Sequence, residues 1–361
     1  MSVAETTALE LLRYGIRKTD TCDLSNDNVA WNDVFAFSEL QGVSALVLDG
    51  IDRCLNQCRM VEVDIQTKLE WIGSVQQAEV IYDQHRRAIS DLAKFYQKYG
   101  IKMMLIKGTG LSLDYPIPFH RPCGDIDIYL YGDLERADML LFKHCNIEIG
   151  HEQHKHTIFQ FGGVTVENHY DFANYYKHRS SKKLDAWLKE NCLTESIECT
   201  QLGANVYLPS AGFNAVFLIR HAASHFAADE ITLRHLLDWA FFVENHYEQV
   251  DWEWQWKICQ EQNMHQFLLA INEICVKYLG FEASKFKMGG SSLLTEKVFE
   301  AIIHPSIDDV SPKGMMPYIM DRGRRWWKNR WKHRMVYPES ITATFFTQIY
   351  AHLMKPATLR G

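Results

Sequence analysis

The spacing of apolar residues changes twice along this chain, near Gly100 and near Pro209, and these changes limit its fold more than any other sequence feature. Before Gly100, apolar side chains recur every three or four residues, which is typical of helices. Between the two positions, short apolar runs next to glycine predict strands, and helical spacing returns after Pro209. We therefore predict an α+β protein with a small mixed-sheet core between two helical regions. The predicted boundaries are residues 1–99, 100–208 and 209–361.

The same patterns predict the individual elements of the core. The segment 101–106 is a buried apolar run, and 125–130 alternates between polar and apolar residues, so both are predicted strands. Gly162-Gly163 is a hairpin turn between two further strands. Those strands are predicted at 157–161 and 164–168, and helices are predicted at 133–144, 211–225, 232–245, 252–262, 266–279 and 339–353.

Composition excludes several classes of protein. Of 361 residues, 47% are hydrophobic and 23% are charged, so the chain can bury a large core and is not disordered as a whole. Its 38 basic and 45 acidic residues give a net charge of −7, which argues against a protein that mainly coats nucleic acid. No apolar run approaches the roughly 18 residues of a membrane-spanning helix. Cysteines without a CxxC pair fit a reducing compartment, so we expect a cytoplasmic protein.

Three acidic residues lie where the strands of the core would bring them together. Asp125 and Asp127 are two residues apart on one predicted strand, so their side chains face the same way while Ile126 and Ile128 enter the core. Glu167 alternates with inward-facing valines on a later strand. A cluster of three carboxylates is unfavourable unless hard cations neutralise it, and Mg²⁺ or Mn²⁺ suits oxygen ligands. The pattern predicts a catalytic metal site at these three acids.

A glycine turn follows the first predicted strand, in the segment Lys107-Gly108-Thr109. Gly108 permits a ligand to approach the backbone closely, and Thr109 is expected to cap a helix whose free amides favour phosphate. Lys107 and Arg121 add positive charge that suits a triphosphate, and Lys107 is also a candidate catalytic residue. Two-metal phosphoryl transfer needs a particular order of elements: a strand, a glycine turn and a helix, followed by two strands that carry carboxylates. The predicted elements have this order. These four residues are therefore the predicted nucleotide-binding residues.

In these segments the chain resembles a bacterial family of uncharacterised nucleotidyltransferases within the polymerase-beta-like superfamily. The resemblance covers roughly residues 5–280 and is strongest at 104–130. It implies that the three acids hold two Mg²⁺ and that the glycine turn holds the triphosphate of an NTP such as ATP. It also implies transfer of a nucleoside monophosphate with release of pyrophosphate. The motifs that carry the resemblance are Lys107-Gly108, the block from Arg121 to Asp127, Glu167-x-His169, His221 and Leu236-Leu237-Asp238-Trp239.

Two features depart from the pattern of that superfamily. The turn reads Lys107-Gly108-Thr109 where Gly-Ser is usual, and the third acid is Glu167 where Asp is usual. The acceptor is therefore not implied by the resemblance, and a small molecule, a protein and RNA are all open. A chain that binds nucleotide without transferring it is the main alternative function, and an RNA-directed nucleotidyltransferase is another.

Several of the candidate residues have a structural alternative. Lys107 could form a salt bridge with Asp125 at the end of the strand, and Arg121 could pair with a carboxylate. His169 is predicted to hydrogen-bond a metal ligand rather than to bind the metal, because Mg²⁺ prefers oxygen.

The remaining histidines and the basic residues near the C-terminus give weaker patterns. His221 and His225 have the i, i+4 spacing of zinc ligands but lack the glutamate of a metalloprotease motif. His151, His154 and His156 are predicted to lie in a solvated loop. The segment 322–334 has seven Arg and Lys residues interleaved with Trp, which suits weak contact with nucleic acid or an anionic surface. It equally suits a helix whose Trp side chains pack inward while the charges stay in water.

Overall fold

The structure of the chain, a computed structural model, combines one mixed β-sheet with helices on both of its faces. The predicted α+β class is therefore confirmed. The predicted division into three regions at residues 99 and 208 stays a prediction. The structure describes residues 1–22, 24, 29–56, 61–151, 155–176, 178–228, 231–305, 324, 327–345 and 347.

The sheet of the described residues has six strands: β1 (Met103–Leu105), β2 (Ile126–Tyr129), β3 (His156–Phe161), β4 (Val164–His169), β5 (Ile197–Glu198) and β6 (Val206–Leu208). Their order across the sheet is β3-β4-β2-β1-β6-β5. The pairs β2–β4 and β1–β6 are parallel, and the other three pairs are antiparallel. All strands predicted from the sequence are present, whereas β5 and β6 are too short to leave a sequence pattern.

Helices make up most of the remaining structure. In chain order they are α1 (Val3–Gly15), α2 (Trp31–Leu40), α3 (Ser44–Asn56), α4 (Ile65–Gln97), α5 (Thr109–Ser112), α6 (Leu134–Cys145), α7 (Ser181–Glu195), α8 (Ala211–Ala228), α9 (Leu233–His246), α10 (Trp252–Glu261), α11 (His265–Leu279), α12 (Ser292–Ile303) and α13 (Arg330–Val336). Helices α8 to α11 match the four helices predicted between 211 and 279. Part of the predicted helix at 339–353 lies outside the described residues.

Helix α4 covers one face of the sheet. It begins at a carboxylate cap, where Asp64 accepts a hydrogen bond of 3.0 Å from the backbone N–H of Thr67. Its second half buries Ile89, Leu92 and Tyr96 in the same apolar cluster as inward-facing residues of β1, β2 and β4. The helix therefore belongs to the packing of the sheet, although the sequence places it in the N-terminal helical region.

The opposite face of the sheet contacts a second and larger apolar core. Because side chains alternate along a strand, Met104 and Tyr129 point away from α4 and join this core. Phe172 packs against Phe213 of α8 with ring centroids 5.0 Å apart. The core also contains buried residues of α1, α3, α9 and α11, so it runs through all three predicted regions. Within the described residues, no helix combines the length and apolar character needed to cross a membrane.

Candidate functional site

The parallel pairing of β2 with β4 brings the predicted acidic residues together. Asp127 lies opposite Glu167 in the register of these two strands, and Asp125 directly precedes β2. One carboxylate oxygen from each of the three residues lies within 4.8 Å of the others. The convergence expected from the sequence is therefore present in the structure, and the role of these acids as metal ligands stays a prediction.

Two basic side chains converge on the same oxygen of Asp127. Lys107 Nζ and His169 Nε2 each lie 2.8 Å from Asp127 Oδ1. The structure thus pairs Lys107 with Asp127 rather than with Asp125, the partner considered from the sequence. His169 occupies the predicted position beside a candidate metal ligand. Burial alone would raise the pKa of Asp127, but the charge of Lys107 and the hydrogen bond from His169 outweigh it and lower that pKa well below its ordinary value.

The other two acids have different electrostatic environments. Burial and the neighbouring charge of Asp127 raise the pKa of Asp125. Burial opposes ionisation of Glu167 too, but a hydrogen bond from His169 outweighs it and lowers the pKa of Glu167. Asp127 and Glu167 are therefore ionised at neutral pH. Because the pKa of Asp125 is raised, a bound cation would favour the ionised form of Asp125 most.

The glycine turn has a backbone conformation that favours glycine. Gly108 has φ of 57° and ψ of −120°, and a Cβ built there would lie 3.4 Å from the carbonyl oxygen of Asp125. Gly108 is also the N-terminal cap of α5, so the expected cap from the Thr109 side chain is wrong. Thr109 is instead the first residue of α5, only 2% exposed, and its Oγ1 lies 3.8 Å from Cys123 Sγ.

Arg121 lies beside the cluster with its guanidinium already paired. Its Nε and its Nη2 donate to the two carboxylate oxygens of Asp238 on α9, at 2.7 and 2.8 Å, and Tyr115 Oη donates to the same carboxylate at 2.7 Å. Burial favours a neutral Asp238, but Arg121 outweighs it and lowers the pKa of that carboxyl. The carboxylate pairing considered from the sequence is therefore present. A direct role of Arg121 at the phosphates stays a prediction.

A cleft of about 540 Å³, counted with its open mouth, joins these groups to α8 and α9. Arg234 lines the cleft and was not found from the sequence, because a lone arginine on a helix has no distinguishing pattern. The lining residues are Lys107, Gly108, Leu111, Arg121, Gly124, Asp125, Asp127, Leu218, His221, Ala222, Arg234, His235 and Asp238.

His221 lines this cleft together with His235 of α9, and His225 lies next to His221 on α8. The ring centroids of His221 and His225 are 4.5 Å apart, and each lies more than 6 Å from that of His235. Among the described residues, the two groups with metal-ligand spacing are the acidic cluster and a group of His156, Glu167 and His169, so the structure gives no support to zinc at His221 and His225. Burial and the charge of Lys107 lower the pKa of His221 well below its ordinary value.

The sequence pattern does not indicate that His156 belongs to this site. The prediction of a solvated loop is wrong for this residue, because it is the first residue of β3 and only 6% exposed. Its Nδ1 lies 3.3 Å from Glu167 Oε2. Burial lowers the pKa of His156 to about 4, so the ring is neutral at pH 7. His151 is exposed as predicted, and His154 lies outside the described residues.

The basic segment 322–334 is described in part, with Arg322, Gly323, Arg325 and Trp326 outside the described residues. Its last residues form α13, where Trp331 packs edge-on against Phe226 with ring centroids 5.6 Å apart. Lys332 is only 4% exposed and lies over the same ring. Trp327, by contrast, is 60% exposed. The helix-packing interpretation thus fits Trp331, while contact with nucleic acid or an anionic surface stays a prediction for the exposed part.

Comparisons with known proteins give one match. A family model described as an uncharacterised nucleotidyltransferase matches residues 27–280. No curated protein and no solved structure matches the chain.

Proposed function

This chain belongs to the family of uncharacterised nucleotidyltransferases, and on that premise we propose that it transfers a nucleoside monophosphate from an NTP to an acceptor in a reaction dependent on Mg²⁺ or Mn²⁺. The observation that carries the proposal is the convergence of Asp125, Asp127 and Glu167 within 4.8 Å, with Asp125 and Asp127 lining a cleft. Family membership supports nucleotidyl transfer in general. The metal and the residue roles are our proposal.

The acidic cluster fits a divalent cation. All three ligand atoms are carboxylate oxygens, which hard cations prefer, and their spacing allows them to share one or two ions. When bound, the cations would neutralise phosphate charge and align the acceptor oxygen with the α-phosphorus. Asp127 is held in place for this role by Lys107 and His169, which also keep it ionised.

The triphosphate is proposed to lie along the glycine turn. Gly108 leaves the backbone open because it has no side chain, and Lys107 and Arg234 bring positive charge to the same cleft. Arg121 lines the same cleft and is held in place by its ion pair with Asp238. These groups favour the pyrophosphate product as it leaves, since they compensate the charge that develops on it.

The acceptor is proposed to enter from the side of α8 and α9, which complete the cleft opposite the acids. His221 and His235 lie on that side. Neither the base of the nucleotide nor the class of acceptor follows from these residues, so the test must not presuppose an acceptor.

The proposal is tested by transfer of label from α-³²P-NTPs to a cell extract, with Mg²⁺ or Mn²⁺. Asp125→Asn, Asp127→Asn and Glu167→Gln each remove one charge and keep the shape, so we expect labelling to fall at least about 100-fold while nucleotide binding falls much less. Asp138→Asn is the matched control, because Asp138 is a buried carboxylate outside the cleft.

Two other outcomes would reject the proposal in different ways. Variants that label as well as the wild type would exclude these acids from catalysis. Nucleotide that binds with a divalent cation but is never transferred would favour the alternative of a nucleotide-binding protein without activity. Labelled RNA as the product would identify the RNA-directed form of the enzyme.

A further inference from the structure

A second group of potential metal ligands adjoins the acidic cluster. His156 begins β3 and His169 ends β4, and the antiparallel register of the two strands places these residues directly opposite each other. Glu167 lies two residues before His169, so its side chain emerges on the same face. One atom each of His156, Glu167 and His169 lies within 4.8 Å of the others.

The spacing of this group matches the coordination shell of a small cation. His156 Nδ1 and His169 Nε2 each lie 3.3 Å from Glu167 Oε2. Ligands about 2.0–2.1 Å from a tetrahedral Zn²⁺ are separated by roughly 3.3–3.4 Å, as follows from that bond length and the tetrahedral angle. The two contacts with Glu167 therefore have the distance expected between two ligands of one tetrahedral Zn²⁺.

The hydrogen bonds of the two histidines point to the same conclusion. Only 6% of His156 is exposed, and its Nδ1 forms no hydrogen bond with the residues that the structure describes, although Glu167 Oε2 lies 3.3 Å away. His169 Nε2 faces both Glu167 and Asp127, and Nδ1 lies 3.4 Å from the carbonyl oxygen of Asp171. Nδ1 can donate to that carbonyl when a cation takes the place of the proton on Nε2. A backbone carbonyl behind a ligating imidazole is the usual way in which proteins orient it. A buried nitrogen without a hydrogen bond and an oriented imidazole are what a metal site requires.

We propose that His156, His169 and Glu167 form a second cation site, which binds a first-row transition metal such as Zn²⁺ and discriminates against Mg²⁺. Imidazole nitrogen suits Zn²⁺ and its neighbours, whereas Mg²⁺ demands oxygen. The site shares Glu167 with the acidic cluster, and its His169 also contacts Asp127 of that cluster. The proposal does not depend on nucleotidyl transfer, because it concerns the binding of the ion alone.

The test titrates metal-free protein with Zn²⁺ and, as a spectroscopic probe, with Co²⁺. We expect one tight equivalent in the wild type and at least a tenfold weaker affinity in His156→Gln, with a weaker Co²⁺ absorption band. His144→Gln is the matched control, because His144 is exposed and represents adventitious surface binding. Asp125→Asn should leave Zn²⁺ affinity within about twofold, since Asp125 belongs only to the acidic cluster.

X-ray absorption on the Zn²⁺-loaded wild type provides a test that needs no substitution. We expect two imidazole ligands in the first shell. An all-oxygen shell, or unchanged Zn²⁺ affinity in folded His156→Gln, would overturn the proposal. Loss of Zn²⁺ binding in Asp125→Asn would assign the ion to the acidic cluster instead, and that result would leave the proposed nucleotidyl transfer intact.

Discussion

At the residue scale, His235 shows how a neutral imidazole supports the cleft. Its Nδ1 accepts a hydrogen bond of 3.1 Å from the backbone N–H of Thr232 and closes a capping box at the start of α9. Burial and the positive charge of Arg234 lower the pKa of His235 to about 3. A proton on Nδ1 would remove the acceptor, so the folded protein resists protonation there.

The free energy of unfolding should therefore depend on pH through the titration of His235. Its folded-state pKa of about 3 is below the ordinary 6.5, so between these values the unfolded chain binds a proton that the folded chain does not. Stability should fall as the pH is lowered from 6.5 toward 3, with a limiting slope of about 1.4 kcal/mol per pH unit, and this contribution should be constant above 6.5.

The comparison of His235→Gln with the wild type isolates this contribution. Glutamine at the third position of a helix also closes a capping box and does not titrate, so the variant should show a flatter pH dependence of stability. Urea unfolding at pH 7.5, 6, 5 and 4 measures it. Two other histidines have raised pKa values: Asp49 raises that of His120 and Asp114 raises that of His246, although burial opposes both shifts. Because both histidines are present in the variant and in the wild type, their contributions cancel in the comparison. Parallel curves for the two proteins would contradict the prediction.

At the element scale, glycine sets the distance between α1 and α3. A Cβ built on Gly50 would lie 2.1 Å from the carbonyl oxygen of Leu11, and one built on Gly15 would lie 2.0 Å from that of Leu46. The two helices therefore pack backbone to backbone, which any side chain at these positions would prevent. Gly73 in α4 is different, because nothing lies within 4 Å of its Cβ position.

The two helical glycines should respond to alanine in opposite directions. Gly50→Ala should destabilise the protein by about 3 kcal/mol or more, the upper end of the range for overpacking, because backbone atoms must move apart. Gly73→Ala should stabilise it by about 0.5–1 kcal/mol, since alanine is the better helix former and meets no obstacle. Urea unfolding of the two variants measures both effects. Equal effects of the two substitutions would show that α1 and α3 are not in close contact.

At the scale of the whole molecule, the buried pair of Arg121 and Asp238 connects the segment before β2 to the C-terminal helix α9. The two residues are 117 positions apart in sequence, and both lie at the candidate cleft. The larger apolar core also runs through all three predicted regions. We therefore expect the chain to unfold as one cooperative unit.

Breaking this pair should have a large effect that a second substitution relieves. Arg121→Met leaves the buried Asp238 without its ion-pair partner and should cost about 3–5 kcal/mol, whereas Arg121→Met combined with Asp238→Leu should recover much of that loss. Arg136→Met is the control, because its pair with Asp133 is half exposed and worth at most about 1 kcal/mol. Urea unfolding followed by fluorescence and circular dichroism should give coincident transitions. Two separate transitions would instead support independent folding of the predicted regions.

The features of this protein that depend on local patterns follow from the sequence. Period-two alternation predicted that Asp125 and Asp127 share a face, and Gly162-Gly163 predicted the hairpin between β3 and β4. The turn at Gly108 was likewise found from its neighbours. These features follow from steric preferences within a few residues, so no knowledge of distant contacts was needed.

Contacts between distant segments follow from the tertiary structure and have no local sequence pattern. The partner of Arg121 lies on α9, and the pairing of Lys107 with Asp127 depends on which carboxylate its flexible side chain reaches. His156 was expected in solvent, and only the register of β3 against β4 places it in a buried position opposite His169. Register and ion pairing are fixed by packing and burial across the whole fold, because the free energy of a strand pair or a buried charge depends on neighbours far away in sequence.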